Sequence, residues 1–162
     1  MHETNGELRR LQRLLDESYA SSGAHLRSIF TDERRIRAED LVSLLPGVQV
    51  LALATVTGSG EPRVAPVDGL FFRGQFYFGS SPESVRFRHL EQRPQVSAAH
   101  VRGEELAVIV HGVAQKIDTG SPAHRGFRDY AIEVYGPGWE QWGAGAAYAR
   151  IDAAKMFTFR AG

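Results

Sequence analysis

From Val48 to Thr57 the chain reads VQVLALATVT. Val48, Val50, Ala52, Ala54 and Val56 fall on one face of a strand, and Leu51 and Leu53 on the other. A strand apolar on both faces is buried on both, as in a barrel covered by helices or by a partner. The strand rhythm then continues. Gly58-Ser59-Gly60-Glu61 is a turn whose glycines permit positive φ. Pro62 to Phe72 is the return strand, with Gly69 an expected bulge. Arg73-Gly74 reverses the chain again, and Gln75 to Gly79 is a third, aromatic-rich strand. Three strands in succession through tight turns make an antiparallel meander.

Helical signals flank and interrupt this meander. Leu8, Leu11, Leu14 and Leu15 have helical spacing, and the helix should fade near Ser21-Ser22-Gly23. Arg34 to Leu45 predicts a second short helix, stopped by Pro46-Gly47. Ser81-Pro82 places an N-cap serine before a first-turn proline, predicting a helix to about Gln92. Gln95 to Arg102 and Leu106 to Asp118 are the fourth and fifth strands, around a turn at Gly103-Glu104. Ser121-Pro122 repeats the cap signature and opens a helix to Tyr135, broken by Gly136-Pro137-Gly138. Trp139 to Ala146 reads as a glycine-rich loop, and Tyr148 to Phe159 as a last strand or pair of strands. About six strands with one helix after the third predict a closed barrel of the α+β, mainly β type rather than a sandwich. The expected organisation is a helical segment over 1–46 and a barrel over 47–162, one domain overall.

Composition narrows the function classes. A chain of 162 residues should bury roughly 70% of its unfolded surface, enough for a core without staples. There is no cysteine, which excludes disulfides, thiolate metal sites and a cysteine nucleophile. Lysine plus arginine and aspartate plus glutamate are 19 each, a balance that argues against a general nucleic-acid binder. No apolar run approaches the ~20 residues that span a bilayer. Met1-His2-Glu3-Thr4-Asn5-Gly6 lacks a basic-then-apolar export pattern, so a cytoplasmic protein is expected.

The segment richest in chemistry is Phe78-Gly79-Ser80-Ser81-Pro82-Glu83-Ser84-Val85-Arg86-Phe87-Arg88-His89. A strand ends in hydroxyl residues and a helix begins, and unpaired first-turn N–H groups favour an anion there. Ser80, Ser81 and Ser84 offer donors to phosphate oxygens, and Arg86 or Arg88 a charge-assisted fork. Upstream, Arg63-Val64-Ala65-Pro66-Val67-Asp68 carries a proline inside a strand, which belongs at an edge or a bulge and leaves backbone open to a flat ring.

The ordered set of apolar strand, glycine turn, R-V-A-P-V strand, aromatic strand, S-S-x-x-S-x-R helix start and R-P-Q-V-S resembles the pyridoxamine 5′-phosphate oxidase-like split-barrel family, over roughly Val48 to Ile117. That resemblance implies a six-stranded antiparallel split barrel with flanking helices, a homodimer with cofactor sites at its interface, and FMN or, in one branch, the deazaflavin coenzyme F-420. It implies that Arg63, Val64, Ala65 and Pro66 line the flavin ring and ribityl chain, that Gly79 and Ser80 meet the isoalloxazine, and that Ser84 and Arg86 hold the phosphate; Val67 and Ser81, beside them in the sequence, are further cofactor-binding candidates. Val85 stands where the family commonly has a first cation and Arg86 where it has lysine, Glu83 adds a nearby negative charge, and Arg88 is the expected compensation, four residues from Ser84. The basic, tryptophan-containing C-terminal motif that grips pyridoxal substrates has no match between Trp139 and Gly162. The expectation is a flavin-dependent oxidoreductase acting on a small molecule. The alternatives are a deazaflavin-dependent reductase and a flavin- or haem-binding protein without turnover.

Other polar residues carry weaker signals. His2, His25, His89, His100, His111 and His124 include no zinc-binding spacing, so no metal site is expected. His100 and His111 are expected as cross-strand neighbours, hydrogen-bonded within the barrel or touching a ligand; a haem would need a ligand such as His111. Ser59 is a turn residue. Trp139 and Trp142 are candidates for the cofactor mouth, the dimer seam or plain core packing. Arg9, Arg10 and Arg13 read as a solvated helix face.

Overall fold

A computed structural model describes residues 2–162. The helices α1 (Asn5–Ala20), α2 (Ala24–Ile29) and α3 (Ala38–Leu44) precede the strands β1 (Val48–Val56), β2 (Pro62–Phe72) and β3 (Gln75–Ser80). Then follow α4 (Val85–Gln92), β4 (Gln95–Arg102), β5 (Leu106–Ile117), α5 (Arg125–Tyr135), the one-turn α6 (Trp139–Trp142) and β6 (Ala147–Arg160). The strands close an all-antiparallel barrel in the order β1-β2-β3-β6-β5-β4.

Strand alternation sets the core. On β1, Gln49, Leu51, Leu53 and Thr55 point inward and are buried, whereas Val48 and Val50 stay 41% and 57% exposed on the outer face. Leu51, Leu53, Phe76, Phe78, Val108, Val110, Ile151 and Met156 fill the interior. Among the described residues no helix covers the outer face of β1 at Val48 and Val50, so a helix layer does not satisfy its two-sided apolar pattern.

The barrel is split in two places. β1 meets β4 through only Ala52↔Ala99, Leu53↔Ala98 and Ala54↔Ser97. β2 pairs with β1 along Pro62–Leu70 but with β3 only from Gly69 to Phe72. Pro62 to Asp68 therefore have a strand on one side alone, and Pro66, which has no N–H to donate, sits in that half-edge as its chemistry requires. α4 crosses the opening and plugs it with Phe87, fully buried against Phe78 at a ring separation of 6.0 Å, and Leu90.

α1 closes one end of the barrel. Thr4 caps it in a capping box with Glu7, and Leu11 and Leu15 enter the core. The Ser18 hydroxyl accepts from the Met156 amide at 2.9 Å and donates to the Leu14 carbonyl at 2.6 Å, tying the helix to β6. Among the described residues, no helix is long and apolar enough to cross a membrane.

Several local expectations need correction. The second helical stretch is confined to Ala38–Leu44, because Thr31 accepts from the Arg34 and Arg35 amides in a turn and Arg37 is extended at the N-cap. A further helix, α2, occupies Ala24–Ile29. Gly69 makes no bulge: a Cβ there would lie 2.5 Å from Leu51 Cδ1, so the glycine leaves room for a core leucine. The register shift falls at His111/Gly112, opposite Lys155 and Ala153 of β6. Trp139 to Ala146 is not an open loop but a helical turn followed by a short 3-10 turn, and β6 is one strand. His100 lies opposite Val108, and His111 opposite Ser97, so the two histidines are not neighbours.

Candidate functional site

Where β2 lacks its second partner, α4 faces the inner side of the sheet. A cavity of about 200 Å³ lies between them, lined by Thr55, Arg63, Ala65, Ser80, Ser84, Arg86 and His89 with Leu53, Val64 and Val85. The register explains the grouping. Arg63 and Ala65 lie opposite Thr55 and Leu53 on the inward side of the pair, while Ser80 ends the aromatic strand, opposite Ala147 of β6.

The helix start is displaced from its expected place. Ser84, not Ser81, is the N-cap: its backbone is extended and its hydroxyl accepts from the Phe87 amide at 3.5 Å. Ser81 and Pro82 form the preceding turn, closed by the Ser84 amide on the Ser81 carbonyl at 3.0 Å. Ser81 is exposed there and does not line the cavity. Chain reversal after β3 uses the Ser-Pro pair before any helix can begin.

Arg86 is the central cation. Its Nη2 donates to the Pro66 carbonyl at 3.0 Å, joining α4 to the free half of β2. Partial burial lowers its pKa from the ordinary arginine value. A guanidinium has five N–H donors, so this bond leaves the rest of the fork for an anion. His89 shares the cavity, its Nδ1 2.8 Å from the Thr55 hydroxyl. The sequence analysis assigned neither His89 nor Thr55; the three-residue step from Arg86 to His89, neighbours on a helix surface, was the signal available.

Arg63 lines the cavity but is engaged elsewhere. Its Nη2 meets Glu61 Oε2 at 2.7 Å and its Nη1 the Pro62 carbonyl at 3.1 Å. The carboxylate competing for a site arginine is thus Glu61 of the turn, whereas Glu83 is exposed and outside the cavity. Arg88 is also exposed and outside it, so the expected compensation on the helix comes from no contact of Arg88 with the cavity. Val67 points into the barrel core at 7% exposure. A Cβ on Gly79 would come within 2.5 Å of Tyr148 Cε1, so this glycine has a packing reason of its own.

The cavity adjoins a broad hollow of about 700 Å³ on the outer face of β1, β2 and β4. Val64 and Ala65 belong to both, and Val48, Val50, Ala52, Pro66 and Val101 make the hollow apolar. His100 sits at its margin, bonded through Nδ1 to the Val50 carbonyl at 3.0 Å and accepting at Nε2 from Arg102 Nε at 3.2 Å. Both bonds together require the proton on Nδ1. His111 is exposed on the barrel surface and holds Ser97 at 2.7 Å. Trp139 is core, its Nε1 donating to the Tyr148 hydroxyl at 2.9 Å, while Trp142 is 56% exposed against the edge of Tyr135. Burial and the nearby Asp68 push Tyr135 up to about 12.

A polar, cation-bearing cleft joined to an apolar hollow is the form expected for a small-molecule or cofactor site. The residues present fit a phosphorylated ring compound: hydroxyls and a half-buried guanidinium for the anion, valine, alanine and proline for the ring. Among the described residues no cluster of three acidic or histidine side chains could hold a metal ion.

The pyridoxamine 5′-phosphate oxidase family model matches residues 38–159, and the chain belongs to that family. None of the curated proteins matches the chain. Among solved structures it is similar to a conserved hypothetical protein of Mycobacterium tuberculosis (TM-score 0.68, 17% identity, covering 80% of this chain and 88% of the other). A FAD-binding protein of Mesorhizobium loti gives a TM-score of 0.60 at 22% identity over 80% of this chain and 98% of its own. The haem storage protein HutZ of Vibrio cholerae gives 0.59 at 20% over 68% and 86%. These likenesses establish the split-barrel fold.

Proposed function

We propose that the chain is a flavin-dependent oxidoreductase of small molecules, with FMN held between two copies of the protein. One observation carries the reading: Ser80, Ser84, Arg86 and Arg63 converge on one cleft that opens directly onto an uncovered apolar hollow. In this arrangement Arg86, Ser84 and Ser80 bind the phosphate, and His89, oriented by Thr55, supplies a further donor where Val85 supplies none. Val64, Ala65 and Pro66 support the ring. The isoalloxazine provides hydride chemistry when bound, and the chain provides position and electrostatics.

The second copy is part of the proposal. Val50, Val64 and Val101 are 57%, 69% and 56% exposed on one face. A site that buries most of its ligand needs a lid there. With a formal net charge of zero, no long-range repulsion opposes self-association.

Reconstitution with FMN, followed by absorption, tests the reading. Bands near about 375 and 450 nm that co-elute with protein, and that bleach with NADH or NADPH, are expected, since the flavin's chemistry is its own. Retained but unreactive flavin would make it a binding protein. Preferential uptake of the deazaflavin, with a band near about 420 nm, or of haem, with a Soret band, would replace FMN as cofactor.

Arg86→Ala is expected to weaken FMN about tenfold or more, because a charge-assisted bond contributes roughly 1.5–3 kcal/mol. Unchanged affinity by fluorescence titration would remove Arg86 from the site. Glu61→Ala should act in the opposite direction. Freeing Arg63 from an exposed ion pair is expected to tighten FMN about threefold, in keeping with the roughly 0.2–1 kcal/mol range of such pairs. Weaker binding in that variant would show that Glu61 orients Arg63 rather than competing for it.

A further inference from the structure

Helices α5 and α6 cover only part of the outer side of β2. Leu70 and Phe72 lie beneath them, in one cluster with Phe127, Trp139 and Tyr148. Two residues back along the same face the cover stops, and Asp68, Pro66 and Val64 are exposed. Asp68 stands opposite Val50 of β1, at the rim of the apolar hollow that Val50 and Pro66 line.

The edge of this cover is aromatic. Tyr135 ends α5, half-buried against the cluster. Trp139 anchors α6 in the cluster at 2% exposure, and Arg128 of α5 pairs with Glu140 of α6. One turn beyond that anchor Trp142 stays 56% exposed, its ring 5.3 Å from that of Tyr135 and turned by 83°. Two nearly perpendicular rings, one of them open to solvent, form a corner rather than a stack.

Beside the corner stands a carboxylate without a counter-ion. Asp68 takes part in none of the ion pairs among the described residues. The two arginines of the cleft are engaged elsewhere, Arg63 with Glu61 and Arg86 with the Pro66 carbonyl. Asp68 is close enough to Tyr135 for its charge to add to burial in raising the phenol, which is pushed up to about 12 and stays neutral. One uncompensated negative charge thus faces two electron-rich rings. An organic cation satisfies both, its charge pairing with the carboxylate and its alkyl shell resting on the negative ring faces. A bare metal ion would need more oxygen ligands than the corner offers.

We infer that Asp68, Tyr135 and Trp142 form a binding corner for an alkylammonium group. As a binding site it does not depend on the flavin. As the anchor of the substrate it rests on the flavin reading, because Val64, Ala65 and Pro66, which support the ring there, run directly into Asp68; the small molecules acted on then carry an amine cation.

The test uses the full chain without added flavin and choline as probe, followed through amide and indole N–H chemical shifts. Choline is expected to bind at low millimolar strength and to shift the Trp142 indole and the Tyr135 and Asp68 amides, while the buried Trp139 indole stays in place. The neutral isostere with a tert-butyl group in place of trimethylammonium should bind at least fivefold more weakly, since it lacks the charge that rings and carboxylate attract. Trp142→Leu keeps an apolar side chain without the ring, and Asp68→Asn keeps the shape without the charge. Each should weaken choline at least fivefold and melt as wild type does, both positions being on the surface. No choline binding at tens of millimolar, equal affinity for the isostere, shifts centred on Ser84 and Arg86, or unaltered binding in either variant would each overturn the corner. FMN uptake is read separately from its visible absorption. Choline binding by a chain that takes up no flavin would keep the corner and overturn its role as substrate anchor.

Discussion

Phe87→Ala will lower the unfolding free energy by about 3–5 kcal/mol, the usual cost of deleting a buried phenyl group and leaving its cavity. Phe87 is fully buried in the barrel mouth, against Phe78, with Lys116 Nζ 5.7 Å from its ring. No strand lies beside Pro62–Asp68 on that side to collapse into the void. For a chain of this length each kcal/mol moves the melting point by roughly 2–4 °C, so a fall of about 6–20 °C is expected in a thermal scan. The same variant should bind FMN poorly, because Ser84, Arg86 and His89 all ride on the helix that Phe87 anchors. A melting point within 2 °C of wild type would mean that α4 is held by something other than this side chain.

Val50→Arg will convert the proposed dimer into a monomer. Val50 is on the outer face of β1, opposite Asp68 of β2, so a new guanidinium has a carboxylate neighbour in the isolated chain and the fold should be kept. In a twofold interface the substitution occurs twice, at self-complementary positions, and drives cations into an apolar seam. Dimer affinity should fall at least a hundredfold, equivalent to about 2.7 kcal/mol. Light scattering at micromolar protein should report twice 17.9 kDa for wild type and 17.9 kDa for the variant, with matching circular dichroism. A wild-type mass of one chain would sink the two-copy site outright, whatever the variant does.

How far the chain could be read in advance follows from how local each signal is. Pro62 to Phe72 and Gln95 to Arg102 are strands with the bounds read from alternation and flanking turns, because those signals lie within the segment itself. The barrel was legible from strand count and order. Ser81-Pro82 misled because the pair also serves the reversal after β3, a requirement set by where β3 ends. Gly69 and Gly112 are alike as strand glycines, yet only the second accompanies a register shift; the difference lies in Leu51 on one side and the Asp152 backbone on the other. The cleft was half legible. Arg63, Ser84 and Arg86, singled out in the sequence, line one cavity, but the hold of Glu61 on Arg63 and the approach of His89 to Thr55 depend on side-chain geometry that spacing does not encode.

Only three residue pairs close β1 onto β4, and Val50, Ala52, Ala99 and Val101 flank that seam on the outside. With a second copy seated over those residues, zipping the last joint of the cylinder and docking the neighbour become one thermodynamic event. Dilution would then loosen the joint itself, so the melting point of this protein should carry a memory of its concentration.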